Sequence, residues 1–269
     1  MGYFLFFFTF SISALQDAIW AQNLQTLSMK NAKVEAIFCL NENQMMGQEV
    51  SLKVEDLNLS NLPQMTNIWV ATKNSFTFQH LKSLEIFGCE KLEVIFPKYV
   101  LRCLPELCTL EVRECKELRQ IIEEDLKDKK LSNPLSPQPC FPKLATLIVE
   151  QCHKLKYLAS VSASNDFSNL ECLLINGATE LEDFIRCEDK ETGKIEVELP
   201  ELKLVIFMDL SKFRQETKFL NVKDRIVSNC PKLSLTSTTT LREILQNVPF
   251  LGKQNTMHGH VNHLLIFKF

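Results

Sequence analysis

The sequence predicts an α/β repeat solenoid, in which stacked units each lay one short strand on a curved parallel sheet, with loops and short helical turns on the convex side. Three observations predict it. An apolar phrase, Leu81-x-x-Leu84-x-Ile86-x-x-Cys89-x-x-Leu92-x-x-Ile95, returns as Leu107, Leu110, Val112, Cys115, Leu118, Ile121 and again as Leu144, Leu147, Val149, Cys152, Leu155, Leu158. Within each phrase the central pair is spaced by two, the strand period, which sends both side chains to one face. The second leucine positions (27, 57, 84, 110, 147, 173 and 205) lie 30, 27, 26, 37, 26 and 32 residues apart, so a basal unit of 26 repeats with insertions.

This is the pattern of leucine-rich repeats, whose units run to roughly 20–29 residues. Weaker copies extend it. Leu170, Leu173, Ile175, Ala178, Leu181 and Phe184 hold the frame, as do Leu202, Val205, Phe207, Leu210 and Phe213. Upstream, Val54, Leu57, Leu59, Leu62, Met65 and Ile68 fit. A looser copy runs Leu24, Leu27, Met29, Ala32, with Ile37-Phe38 one residue early, and a remnant at Val222, Val227, Cys230 and Leu233 is broken by Arg225. No single unit closes its own core, so the apolar residues of one repeat are buried by its neighbours. Each buried leucine contributes roughly 1.5–3 kcal/mol.

The chain divides into an apolar N-terminal segment or partial cap (1–23), about seven repeats (24–235) and an off-repeat tail (236–269). Insertions fall at 123–140 and 186–198. The first is charged and then proline-rich (Pro134, Pro137, Pro139), a composition that buries little and predicts an exposed loop. In the tail, Thr240-Leu-Arg-Glu243 is a capping-box pattern, followed by helical spacing over 241–248 until Pro249. Tyr3 to Phe10 is almost wholly apolar and too short for a membrane span. Two readings of it stand: a signal-peptide core without its charged leader, or a strand of an incomplete repeat where a longer gene was truncated.

A net charge of −3 and a pI near 6 provide no basic surface for nucleic acid. Nineteen phenylalanines, against three tyrosines and two tryptophans, suit core filling. Of ten cysteines, Cys89, Cys115, Cys152 and Cys230 share one repeat slot, where a thiol acts as a small buried group bonded weakly to backbone. Cys39, Cys103, Cys108, Cys140, Cys172 and Cys187 form no CxxC or knot-like cluster, so a reducing, cytoplasmic compartment is expected, with secretion as the alternative if residues 1–14 act as a signal.

No convergent catalytic set is legible, and neither an enzyme nor a cofactor is expected. Cys152-His153 mimics a nucleophile–base pair, but Cys152 is a core-slot cysteine and adjacent turn residues point apart. His258, His260 and His263 have no acidic or thiol partner to complete a zinc set, so no metal site is expected. No phosphate-binding loop exists, because Gly193-Lys194 and Gly252-Lys253 stand alone. Asn58-Leu-Ser60 is a glycosylation sequon that matters only in a secreted protein.

Phe78-Gln-His-Leu-Lys-Ser-Leu-Glu-Ile-Phe-Gly-Cys-Glu-Lys-Leu-Glu-Val-Ile-Phe96, the Cys115-to-Glu124 stretch and Phe141-Pro-Lys-Leu resemble the C-terminal leucine-rich repeats of plant intracellular nucleotide-binding disease resistance receptors of the coiled-coil subclass. The resemblance covers roughly Leu24 to Leu233. It implies a sensor module of plant immunity that recognises a pathogen effector, a guarded host protein or a nucleotide-binding switch domain. The receptors' signalling and nucleotide-binding domains have no counterpart in these residues, so nucleotide binding is not implied. A secreted repeat protein that binds a ligand outside the cell and a degenerate fragment without independent function are the alternatives.

The residue between the two inward ones of each strand lines the concave face: Ser28, Asn58, Glu85, Glu111, Ile148, Leu174 and Ile206. We expect partner contact at Glu85, Glu111, Ile148, Leu174 and Ile206. With strands roughly 4.8 Å apart, the last three would form an apolar stripe in water, unless an insertion loop covers them or they reflect strand preference alone.

Overall fold

The computed structural model describes residues 3–6, 24–39, 50–70, 76–97, 100, 104–123, 141–160, 167–186, 199–214, 222–240 and 243 of the 269. Alternating polarity builds one strand per repeat, and the later Leu-x-x-Ile pair builds a second, shorter one. The chain runs β1 (Tyr3–Phe6), β2 (Thr26–Lys30), β3 (Ala36–Cys39), β4 (Val50–Ser51), β5 (Asp56–Ser60), β6 (Asn67–Val70), β7 (Phe76–Thr77), β8 (Ser83–Phe87) and β9 (Val94–Phe96). It continues β10 (Thr109–Arg113), β11 (Gln120–Ile122), β12 (Thr146–Glu150), β13 (Ala159–Ser160), β14 (Cys172–Asn176), β15 (Ile185–Arg186), β16 (Leu204–Met208) and β17 (Asp224–Ser228).

The first strand of each repeat joins a parallel sheet ordered β1-β2-β5-β8-β10-β12-β14-β16-β17. Its register is the repeat frame of the sequence: Leu27, Leu57, Leu84, Leu110, Leu147, Leu173 and Val205 stand opposite one another, and Arg225 ends the row. The longest spacing, between Leu110 and Leu147, leaves the ladder unshifted. Tyr3–Phe6 adds a strand beside β2, with Phe4 opposite Leu27.

On the returning side, short parallel pairs β3–β6, β9–β11 and β13–β15 stand where helical turns were expected, and helical geometry among the described residues is confined to Val100, Phe167 and Glu243. Phe38 pairs with Trp69, although their distances from Ala32 and Leu62 differ by one. The first repeat is one residue short at that point, and the ladder absorbs it.

Each main strand from β2 onward ends in a left-handed residue: Asn31, Asn61, Gly88, Glu114, Gln151, Gly177, Asp209 or Asn229, with φ between 52° and 68°. The turn sends the chain out of the sheet, and its N–H reaches the next repeat. Asn61 N donates to Phe87 O (2.8 Å), Gly88 N to Arg113 O (2.9 Å) and Gln151 N to Asn176 O (2.8 Å). At Gly88 a Cβ would lie 2.5 Å from Asn61 Oδ1, so a larger residue there would have to displace that side chain.

The core lies between the sheet and the returning strands. The cysteine slot behaves as its sequence position predicts: Cys89, Cys115 and Cys152 are fully buried and Cys230 nearly so, and their thiols point at backbone carbonyls, as Cys152 does toward Glu150 O (3.4 Å). The hydrogen bond to the Cys115 thiol, with burial, pushes the Cys89 thiol well above its ordinary range, and the Cys152 thiol acts likewise on Cys115. Phenylalanine serves the core as expected. Phe38, Trp69, Phe96, Phe141, Phe167 and Phe184 form an unbroken file of rings with centroids 5.0–6.4 Å apart. Trp69 Nε1 donates to Ile95 O at 2.8 Å, which satisfies its buried N–H.

At the far end, alternate backbone groups of β17 point away from β16 and are met by hydroxyls. Thr238 Oγ1 accepts from Arg225 N (3.0 Å) and donates to Lys223 O (2.8 Å), while Ser237 Oγ bonds Val227 N (2.8 Å) and Val227 O (3.0 Å). The capping box is formed, with Thr240 N to Glu243 Oε2 at 2.8 Å and Glu243 N to Thr240 Oγ1 at 3.3 Å. The loops at 123–140 and 186–198, the helix near 241–248 and His258, His260 and His263 lie outside the described residues, apart from Glu123, Arg186 and Glu243.

The expectation that Ile148, Leu174 and Ile206 stand in water is overturned. They are only 4 %, 3 % and 2 % exposed. With Leu204 they make a second apolar cluster on the outward face, flanked by half-buried Cys172, Met208 and Ile226. Leu147→Ala should therefore cost about 2–5 kcal/mol, and Ile148→Ala a comparable amount rather than almost nothing, because both remove packed atoms and leave a void. Urea midpoints of the two variants check this, and an unchanged midpoint for Ile148→Ala would return that side chain to solvent. The slot thiols of Cys89, Cys115 and Cys152 should resist alkylation in the folded protein and react fully in guanidinium, as peptide mass mapping would read out.

Candidate recognition surface

Strand positions one, three and five face away from the core, so the outward face is a grid with one row per repeat. Over β5, β8 and β10 the grid is polar apart from Phe87: Asp56, Asn58 and Ser60, then Ser83, Glu85 and Phe87, then Thr109, Glu111 and Arg113. Over β12, β14 and β16 it turns apolar through Ile148, Leu174, Leu204, Ile206 and Met208. The face thus has an acidic half and a packed apolar half.

Glu85 and Glu111 stand directly opposite each other, a like-charge arrangement that disfavours strand pairing. Arg113 moderates it at the boundary of the two halves. Its guanidinium lies 3.1 Å from Glu111 Oε2, and its Nε lies 2.6 Å from Glu150 Oε2, close enough for an ion pair but not aligned for a hydrogen bond. Burial holds the Glu85 carboxyl above its usual range, against the pull of Arg113 and with the push of Asp56. Burial also raises Asp56, opposed by the Thr26 hydroxyl at 3.4 Å. Burial pushes the neighbouring Cys172 thiol up to about 12. Phe87, at 37 % exposure, is the large apolar side chain this half presents to solvent.

Of the residues expected to meet a partner, Glu85 and Glu111 are half-buried on the acidic half, and Ile148, Leu174 and Ile206 lie in the packed half. Asp56, Phe87, Arg113 and Glu150 were not singled out from the sequence, although the same frame, read two positions either side of the central one, places them. Asn58 of the sequon is on this face as expected. Cys152 is buried in the core while His153 is exposed, so the two form no catalytic pair. Among the described residues, no group of three or more His, Cys, Asp or Glu is placed to hold a metal, and no helix is long and apolar enough to cross a membrane.

In-register strands, a slot cysteine and a shared core define a leucine-rich repeat protein. Residues 9–116 match the family described as plant disease resistance protein RPS2-like, leucine-rich repeats, and over that span the chain is similar to those repeats. The same register continues beyond the match through Cys152 to Val227. No curated protein and no solved structure matches the chain significantly. Leucine-rich repeat modules are generally non-catalytic and present extended surfaces.

Glu85→Gln should raise the denaturation midpoint at neutral pH, because a carboxyl whose folded pKa is raised destabilises the fold when ionised. The stability linked to protonation of Glu85 is fully present below its ordinary pKa of 4.5 and is lost as pH rises through the raised value. Parent and variant should therefore converge as pH falls below about 4.5. A parent more stable than Glu85→Gln at neutral pH would show that the charge supports the fold.

Proposed function

We propose that this chain is the sensor part of a plant disease-resistance system, a non-catalytic scaffold that binds a protein partner through the acidic half of its outward face. The observation that carries the reading is the pair Glu85 and Glu111 side by side on the outward face, where burial raises the Glu85 carboxyl so that its charge is held at a cost to the fold. Residues that disfavour the free protein and face outward are those that a partner relieves. The contact comprises Glu85 and Glu111, with Phe87 as an apolar anchor and Asp56 at the margin. Ile148, Leu174 and Ile206 enter as a packed floor beside it rather than as an open contact, given their burial.

Complementarity calls for a partner surface rich in lysine or arginine. A pathogen effector, a guarded host protein or a nucleotide-binding switch domain would each serve if it presents one. The free thiols of Cys89, Cys108, Cys115, Cys152, Cys172 and Cys230 support a reducing, cytoplasmic setting.

The test is affinity capture from leaf tissue, comparing the parent with the double variant Glu85→Gln/Glu111→Gln. Proteins bound by the parent should be lost from the variant while its free energy of unfolding in urea stays within about 1 kcal/mol of the parent's. An identical set of captured proteins would overturn the acidic face as the contact.

A further inference from the structure

On the turn side, in-register stacking aligns charges as well as leucines. Two residues after the cysteine slot the rows read Lys91, Glu117, Lys154, Glu180 and Lys212, alternating in sign, before Lys232 ends the row on a second lysine. Lys154 meets Glu117 at 2.6 Å, and Lys212 meets Glu180 at 2.6 Å. One residue after the slot, Lys116 meets Glu90 at 2.5 Å. Four residues after it the order is Glu93, Arg119, Lys156, Glu182 and Arg214, and here the alternation fails. Arg119 and Lys156 are stacked neighbours joined by their backbones, Lys156 N to Arg119 O at 3.4 Å.

Neither cation is well neutralised. Arg119 has only a 3.8 Å contact with Glu93, and no carboxylate among the described residues lies within ion-pair distance of Lys156. The nearest candidate in the row, Glu182, accepts a hydrogen bond from the Tyr157 hydroxyl at 2.7 Å. The two cations border a cleft of about 790 Å³ that Lys154, His153, Thr179 and Glu180 also line. Lys154 is already held by Glu117 and Glu180 by Lys212, so Arg119 and Lys156 are the two lining cations without a close carboxylate among the described residues. Gln120 and Thr179 add neutral donors along the wall.

We propose that this cleft binds a phosphate monoester dianion, whose charge of about −1.5 to −2 at neutral pH suits the two neighbouring cations Arg119 and Lys156. Arg119 supplies a planar fork for two phosphate oxygens, and Lys156 a point charge on the third. The bound dianion removes the repulsion that the free protein carries between the stacked pair. The site is on the turn side, apart from the acidic half of the sheet, so it does not depend on that face being a protein contact.

Fluorescence anisotropy on the full chain tests this with two probes, a labelled phosphoserine peptide with neutral flanks and labelled inositol hexakisphosphate, against the unphosphorylated peptide. We expect at least one phosphorylated probe to bind tenfold or more tighter than the unphosphorylated peptide. Lys156→Gln and Arg119→Gln should each weaken that binding at least tenfold, with thermal midpoints unchanged or raised, since each removes one of two repelling charges. Lys232→Gln, on an exposed turn elsewhere, should leave it intact. The probe that binds identifies the source of the phosphate, a modified protein or a soluble polyphosphate. Failure of both probes, or binding that survives Lys156→Gln, would overturn the site.

Discussion

One constraint governs this molecule: the parallel hydrogen-bonded ladder locks each repeat to the next in exact correspondence of position. Strands roughly 4.8 Å apart place equivalent residues within contact of each other. Every property of the protein is therefore a property of a column. Leucines stack on leucines, slot cysteines on slot cysteines, and the rings from Phe38 to Phe184 follow one another as a file. The ladder also sets what variation is allowed. Residues added outside it, as between Leu110 and Leu147, change nothing within it, and the residue missing from the first repeat is taken up before Phe38 meets Trp69.

Columns are as unforgiving of charge as they are hospitable to leucine. Where carboxylate and ammonium alternate from rung to rung, each exposed pair contributes little by itself, roughly 0–1 kcal/mol. The rows nonetheless disfavour a slipped register, which would set like charges together. Against that background, two of the departures bear on the surfaces described above. Acid faces acid at Glu85 and Glu111, and base faces base at Arg119 and Lys156. Both lie on surfaces pointing away from the core, where selection for stability alone would have little reason to retain them.

The repeat frame was legible because it rests on spacing, and spacing survives in one dimension. The second-position row from Leu27 to Val205, the early Phe38 and the break at Arg225 were each read from the sequence and recur as strand register. Burial on the far side was not legible. Ile148 and Glu111 occupy the same strand position, and only packing with Leu174, Leu204 and Ile206 separates a buried side chain from a half-open one. The short strands of the returning side were missed because two or three residues carry too little periodicity to tell a strand from a turn. The charge rows were recoverable in principle, since they follow from the frame once it is applied to the polar positions as well. Arg113 belongs with them, but its bridging of Glu111 and Glu150 depends on side-chain reach, which no spacing rule supplies.

The hydroxyls of Ser237 and Thr238 occupy the backbone groups of β17 that would otherwise greet another strand. A parallel ladder is in principle endless, since each strand is a template for the next, and a bare final edge invites a neighbouring molecule to continue it. By folding a few polar residues back across that edge, the protein fixes its own length there. The sheet's extent at that end is then written in the chain and is independent of concentration, which separates a closed repeat array from the first segment of a fibre.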